Sequence, residues 1–74
     1  MSELAVMDRT GDTRIEWDAE RPGEVEAARE LFDKMKNKGY LAYTLDRSGT
    51  RGDVIRRFDP NAERIIMSPQ TVGG

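Results

Sequence analysis

Apolar residues recur at helical spacing in one stretch of the chain, from Pro22 to Gly39. Pro22 suits the first helical position, where its missing N–H would have no partner, and Gly39 suits the residue just past the last turn. Between them, apolar positions three or four residues apart would share one helix face: Val25, Ala28, Leu31, Phe32 and Met35. The pattern predicts one amphipathic helix, which needs an apolar surface to pack on.

Two short strands are predicted before this helix. Residues 4–9 begin with an apolar run, and residues 13–17 alternate, with Thr13, Ile15 and Trp17 on one face and charged residues on the other. The intervening Thr10-Gly11-Asp12 has turn chemistry, so the two strands are expected to form a hairpin.

A third strand is predicted directly after Gly39, over residues 40–45. Its side chains divide into Leu41, Tyr43 and Leu45 on one face and two smaller residues on the other. Residues 46–53 are polar and contain two glycines, which predicts a loop.

Two further strands are predicted in the last third of the chain. Residues 54–58 are interpreted as the fourth strand, with Val54 and Phe58 facing the core. Residues 64–68 form the fifth, and their unbroken run Ile65-Ile66-Met67 indicates burial on both faces or a central position. Between them, Asp59-Pro60-Asn61 fits a type I turn.

The element order ββαβββ predicts an α+β fold with a single helix packed on a four- to five-stranded mixed sheet. Residues 1–68 are expected to form one domain, and residues 69–74 a flexible C-terminal tail. The order alone leaves open whether the first and fifth strands pair in parallel.

Composition narrows the possible functions. Of 74 residues, 36% are apolar and 35% charged, so the core must be thin. The chain has no cysteine and no histidine, which removes disulfides, thiolate metal sites and the commonest general base. We therefore expect a protein that is not an enzyme and uses no cofactor or metal.

The formal net charge of −2 gives no overall reason to expect a nucleic acid or a membrane as partner. No apolar run approaches the roughly 18 residues of a membrane span, and the N-terminus lacks the pattern of a signal peptide. A cytoplasmic protein is the expectation.

The chain ends in Gly73-Gly74. A small ββαβββ chain with this ending resembles the ubiquitin-like β-grasp proteins, which include ubiquitin-like modifiers and small sulfur carriers. The resemblance implies that an activating enzyme adenylates the carboxylate of Gly74, which then forms a thioester, isopeptide bond or thiocarboxylate. Glycine would suit this chemistry because it has no side chain to block a narrow channel. The alternative is a plain flexible end.

Five arginines in the second half of the chain form a candidate interaction surface. Arginine pairs with phosphate in a bidentate manner, and Tyr43 or Phe58 could stack a base, so nucleic-acid binding is one hypothesis. Acidic residues are interleaved with the arginines, which is typical of a solvated surface and makes that partner the weaker expectation. The five are Arg47, Arg51, Arg56, Arg57 and Arg64.

The sequence thus favours a small non-enzymatic module that binds another protein, with an activating enzyme as one such partner. Trp17 and Tyr43 could anchor an interface, although both also fit the core. The alternative is a small accessory or structural protein of a phage or mobile element, with an incidental tail.

Overall fold

The structure is a computed structural model that describes residues 1–8, 11–46, 48–49 and 51–69. One helix packs on a five-stranded mixed sheet, which confirms the predicted α+β class and element order. The elements are β1 (Ser2–Asp8), β2 (Gly11–Trp17), α1 (Pro22–Asn37), β3 (Tyr40–Leu45), β4 (Arg51–Ile55) and β5 (Arg64–Pro69).

Helix α1 begins and ends where its sequence predicts. Arg21 occupies the N-cap without a side-chain hydrogen bond, because arginine offers no acceptor there. Glu24 closes the connection into the helix instead: its Oε1 accepts a hydrogen bond from the Asp18 backbone N–H at 3.0 Å. At the other end, Gly39 has a φ of +94° and its N–H donates to the Lys36 carbonyl at 2.9 Å. Glycine reaches this left-handed conformation without a Cβ penalty.

The strands are ordered β2-β1-β5-β3-β4 across the sheet. β1 and β5 are parallel neighbours, with Leu4 opposite Ile65 and Val6 opposite Met67. Every other pair of adjacent strands is antiparallel. The central position of β5 confirms the prediction drawn from its unbroken apolar run, since Ile65, Ile66 and Met67 are all buried.

The core lies between α1 and one face of the sheet, as predicted. Phe32 and Ala28 are fully buried, and the other residues of the predicted helix stripe are partly buried against the same cluster. Four strands of the sheet contribute residues of one face to this cluster, which are Leu4, Val6, Trp17, Ala42, Ile65 and Met67.

An aromatic group closes the core beside the helix. The ring of Phe58 lies 5.0 Å from that of Trp17 and 5.8 Å from that of Phe32, measured between ring centroids. Trp17 is fully buried, and its indole N–H donates to the Pro60 carbonyl at 3.0 Å. Trp17 is therefore a core residue that also fastens the turn after Phe58.

That turn occurs where it was predicted. The Ala62 N–H donates to the Asp59 carbonyl at 3.1 Å, which closes a four-residue turn. The Asp59 carboxylate also accepts from the Asn61 backbone N–H at 2.9 Å. Asp59 thus stabilises the turn with both its backbone and its side chain.

The fourth strand corrects the sequence prediction. β4 covers residues 51–55 rather than 54–58, so it begins inside the predicted loop and Phe58 lies beyond its end. Val54, which was expected to face the core, is 51% exposed on the other face of the sheet. The pairing explains the error: Tyr43 is opposite Val54 but Leu45 is opposite Arg51, so β4 has an extra residue relative to β3.

This irregularity makes Gly52 a sensitive position. A Cβ built on Gly52 would lie 2.6 Å from Thr44 Oγ1 and 3.2 Å from the Thr44 carbonyl oxygen. We expect Gly52→Ala to lower the free energy of unfolding by about 1–3 kcal/mol, the usual cost of overpacking. Urea denaturation followed by circular dichroism measures it, and the penalty should shrink when Thr44→Ala removes the nearest atom.

The matched control is Gly23→Ala in the first turn of α1. No atom lies within 4 Å of a Cβ placed there, so alanine should raise the stability by about 0.4–1 kcal/mol. If both variants changed stability in the same direction and by the same amount, contact with Thr44 would not be the cause.

Candidate functional site

The face of the sheet opposite α1 carries an apolar surface. Strand alternation places on it the residues adjacent to those in the core, and none of these belongs to the core cluster. We call this surface the open-face patch, and its members are Ala5, Met7, Leu41, Tyr43, Leu45, Val54 and Ile66.

The register shows how the patch is assembled. One cross-sheet row passes from Arg14 to Ala5, Ile66, Tyr43 and Val54, because each of these residues is opposite the next in the strand pairing. Ala5 and Ile66, in the middle of this row, are 3% and 7% exposed although they do not face the helix. Their neighbours in the row therefore cover them, as cross-strand pairs do.

The outer members of the patch are open to solvent. Val54 is 51% exposed, Met7 42% and Leu41 37%. No element of the described part of the chain lies over them. An apolar group on an ordered sheet with exposed outer members is a candidate protein-interaction surface.

Charged residues border the patch on the β1–β2 side. Glu3 lies directly opposite Glu16 on β2 and also beside Arg64 on β5. Two carboxylates that face each other across neighbouring strands repel. Arg64 offsets part of this repulsion, so this border of the patch carries charges of both signs.

The five predicted interaction arginines are divided between surfaces. Arg64 lies on the open face, opposite Leu45 and Glu3. Arg56 and Arg57 instead line a cleft beside α1, together with Phe58. The backbone of Arg51 pairs with Leu45, whereas Arg47 lies outside the described residues.

Both residues proposed for base stacking are accounted for by the fold. Phe58 packs against two core aromatic rings, and Tyr43 lies within the open-face patch, between Ile66 and Val54. Tyr43 lies on the open face of the sheet, whereas Phe58 is only partly exposed, at the cleft beside α1.

The predicted carrier terminus, Gly73 and Gly74, lies outside the described residues. It stays a prediction, as does the flexibility expected of the tail. β5 itself continues to Pro69, one residue beyond the predicted strand end, and Pro69 is opposite Tyr40.

Neither a metal-binding cluster nor a membrane-spanning helix is found among the residues that the structure describes. Among the described residues, no three acidic side chains are grouped closely enough to hold a metal ion. In that part of the chain there is also no helix with the length and apolar character needed to cross a membrane.

Sequence reasoning missed the open-face patch as a unit. The alternation of Leu41, Tyr43 and Leu45 was visible, but nothing local indicated that the small residue Ala42 would be the one to face the helix. The contribution of Val54 depends on its pairing with Tyr43, which is a contact between strands that the local sequence does not specify.

Compared with known proteins, the chain matches no family model, no curated protein and no solved structure. The geometry of the open face is therefore the basis for a functional proposal.

Proposed function

We propose that this protein is a small non-enzymatic module that binds another protein on the open face of its sheet. The observation that carries the proposal is the open-face patch: apolar side chains collect on this face in a chain that is only 36% apolar. Exposed apolar area is costly to maintain and becomes favourable when a partner covers it. We propose further that the module acts in the cytoplasm.

The border of the patch indicates the chemistry of the partner. Glu3 and Glu16 are opposite each other and Arg64 is beside Glu3, so charges of both signs border the apolar centre. We therefore propose a partner surface with an apolar centre and a polar, charged edge. This arrangement of apolar core and polar rim is usual in protein interfaces.

The order β2-β1-β5-β3-β4 with parallel β1 and β5 favours a second, more specific candidate. Parallel pairing of the first and last strands is the feature that separates a β-grasp sheet from a simple meander, so it supports the proposed resemblance to ubiquitin-like proteins. In this case an activating enzyme would be the partner and Gly74 the activated residue. If the protein is instead an accessory protein of a phage or mobile element, the open-face patch alone would bind its partner and Gly74 would have no role.

The test removes apolar surface without changing charge. Leu41→Gln combined with Val54→Thr should leave the fold intact, because both positions are exposed. A partner captured on the wild-type protein, then purified, should bind the double variant at least about tenfold more weakly in calorimetry, since apolar contacts at an interface centre dominate affinity.

Two control variants show whether a loss of affinity is specific to the open-face patch. Ala27→Gln with Lys34→Gln changes two exposed positions of α1, on the helix side of the molecule, and should leave this affinity unchanged. Removal of Gly73 and Gly74 should also leave it unchanged, whereas loss of binding on that deletion would favour the carrier candidate. Equal affinity of the wild type and the Leu41/Val54 variant for the partner would contradict the proposal. A sedimentation experiment in which the chain forms a dimer through the patch would also contradict it.

A further inference from the structure

A cleft of about 320 Å³ lies on the helix side of the molecule, between α1 and residues 56–58. Four cationic side chains line it, with one carboxylate and one aromatic ring; the six residues are Arg29, Asp33, Lys36, Arg56, Arg57 and Phe58. We call it the basic cleft. It lies on the opposite side of the sheet from the open-face patch, because α1 covers the other sheet face.

Local packing explains why the cations converge. Arg29, Asp33 and Lys36 are spaced by four and three residues, so they share a helix face next to the core stripe. The Lys36 ammonium donates a hydrogen bond to the Arg56 carbonyl, which joins the last turn of α1 to the segment after β4. The Phe58 ring packs inward, and Arg56 and Arg57 before it remain exposed.

The charge balance of the cleft differs from that of the whole chain. Glu26 binds Arg29 through both carboxylate oxygens, and this contact raises the pKa of Arg29 above its ordinary value. With Glu26, Asp33 and Glu30 all counted, since each acts on Arg29, the four cations still leave an excess of one positive charge, although the protein is formally −2. The excess marks this cleft as a site for an anion.

The packing of Phe58 helps to decide whether the anionic partner is a nucleic acid or an acidic polypeptide. Its ring lies 5.0 Å from that of Trp17 and 5.8 Å from that of Phe32 and is only partly exposed, so little of the ring is open to a nucleotide base. Stacking supplies much of the affinity for single-stranded nucleic acid. The cleft therefore offers four cations with little ring surface for stacking, which favours carboxylates on a polypeptide.

We propose that the basic cleft binds an acidic segment of a partner protein, with Arg56 and Arg57 as its principal contacts. Both guanidinium groups are exposed and can each pair with a carboxylate, whereas Arg29 is already paired with Glu26. This inference is independent of the proposed function of the open-face patch, since the two surfaces share no residue.

The test uses a short fluorescein-labelled oligoglutamate peptide and the full chain, with binding followed by fluorescence anisotropy at low salt. Arg56→Gln with Arg57→Gln should weaken binding by about tenfold, as expected for the loss of two exposed ion pairs. The matched control is Arg14→Gln with Arg64→Gln, which removes the same charge from the open face and should have little effect. Leu41→Gln with Val54→Thr should also have none.

Competition experiments show which class of anion the basic cleft prefers. A single-stranded oligonucleotide or inorganic phosphate that displaced the peptide at lower concentration than oligoglutamate itself would overturn the choice of an acidic polypeptide. Equal weakening by the two arginine pairs would mean that net charge alone drives binding and would overturn the site. Absence of peptide binding at low ionic strength, where such pairs are strongest, would overturn the proposal as a whole.

Discussion

Phe32→Ala is expected to remove most of the stability of this protein. Phe32 is fully buried at the centre of the helix face and contacts Phe58 edge-on, so truncation leaves a cavity between α1 and the sheet. Such changes cost about 3–5 kcal/mol. A domain of this size has roughly 4–11 kcal/mol in total, taken from the usual stability per residue. Urea denaturation monitored by circular dichroism should show the loss.

Two further variants keep this prediction testable if Phe32→Ala does not fold. Phe32→Leu retains most of the volume and should cost less than about 1.5 kcal/mol. Val54→Thr, on the open face, should change stability by no more than about 0.5 kcal/mol because its site is 51% exposed. A loss below about 1 kcal/mol for Phe32→Ala would contradict a core centred on this helix face.

The helix could be predicted from sequence because its signals are local. The spacing of its apolar residues, Pro22 at its start and Gly39 after its end all act within a few residues of each other. The same holds for the turn at residues 59–62, where Asp59 bonds to the backbone two and three residues ahead. Such features need no knowledge of the rest of the chain.

The sheet could be predicted only in part because its pairing is non-local. The parallel contact of β1 with β5 joins residues about 60 positions apart, and no local pattern specifies it. In β3 the larger apolar side chains share the face of Leu41 and Tyr43, yet that face points away from the helix and Ala42 points toward it. The orientation of Val54 was predicted wrongly for the same reason: the register of β4 is set by its backbone pairing to β3, which is a non-local contact.

In the candidate sites, too, the residue types could be predicted from the sequence, whereas their arrangement in space could not. The sequence identified Arg56, Arg57 and Arg64 as cations, but only the fold assigns them to opposite sides of the sheet. The basic cleft also depends on Arg29 and Lys36, which lie 20 or more residues before Arg56 in the chain. Charge clusters formed by distant segments have no signature in a linear pattern.

Trp17→Phe is expected to weaken the attachment of the 59–62 turn as well as the core. Phenylalanine keeps the contact with Phe58 but lacks the indole N–H that donates to the Pro60 carbonyl at 3.0 Å. The lost hydrogen bond and the reduced volume together should cost about 2–4 kcal/mol, because the carbonyl is left without its partner and a small cavity opens. Denaturation followed by far-ultraviolet circular dichroism measures the total.

Hydrogen exchange at the Ala62 amide separates the local effect from the global one. This amide donates to the Asp59 carbonyl, so its protection reports whether the turn is closed. The Ala62 amide should exchange faster in Trp17→Phe than in Phe32→Leu, even after the difference in their free energies of unfolding is subtracted. The reason is that only Trp17→Phe removes the hydrogen bond that ties the turn to β2. Equal acceleration after that correction would mean that the indole contributes only volume. A larger effect in Trp17→Phe would identify Trp17 as the link that holds the segment after β4 against the core, and with it Phe58 and the backbone that carries Arg56 and Arg57.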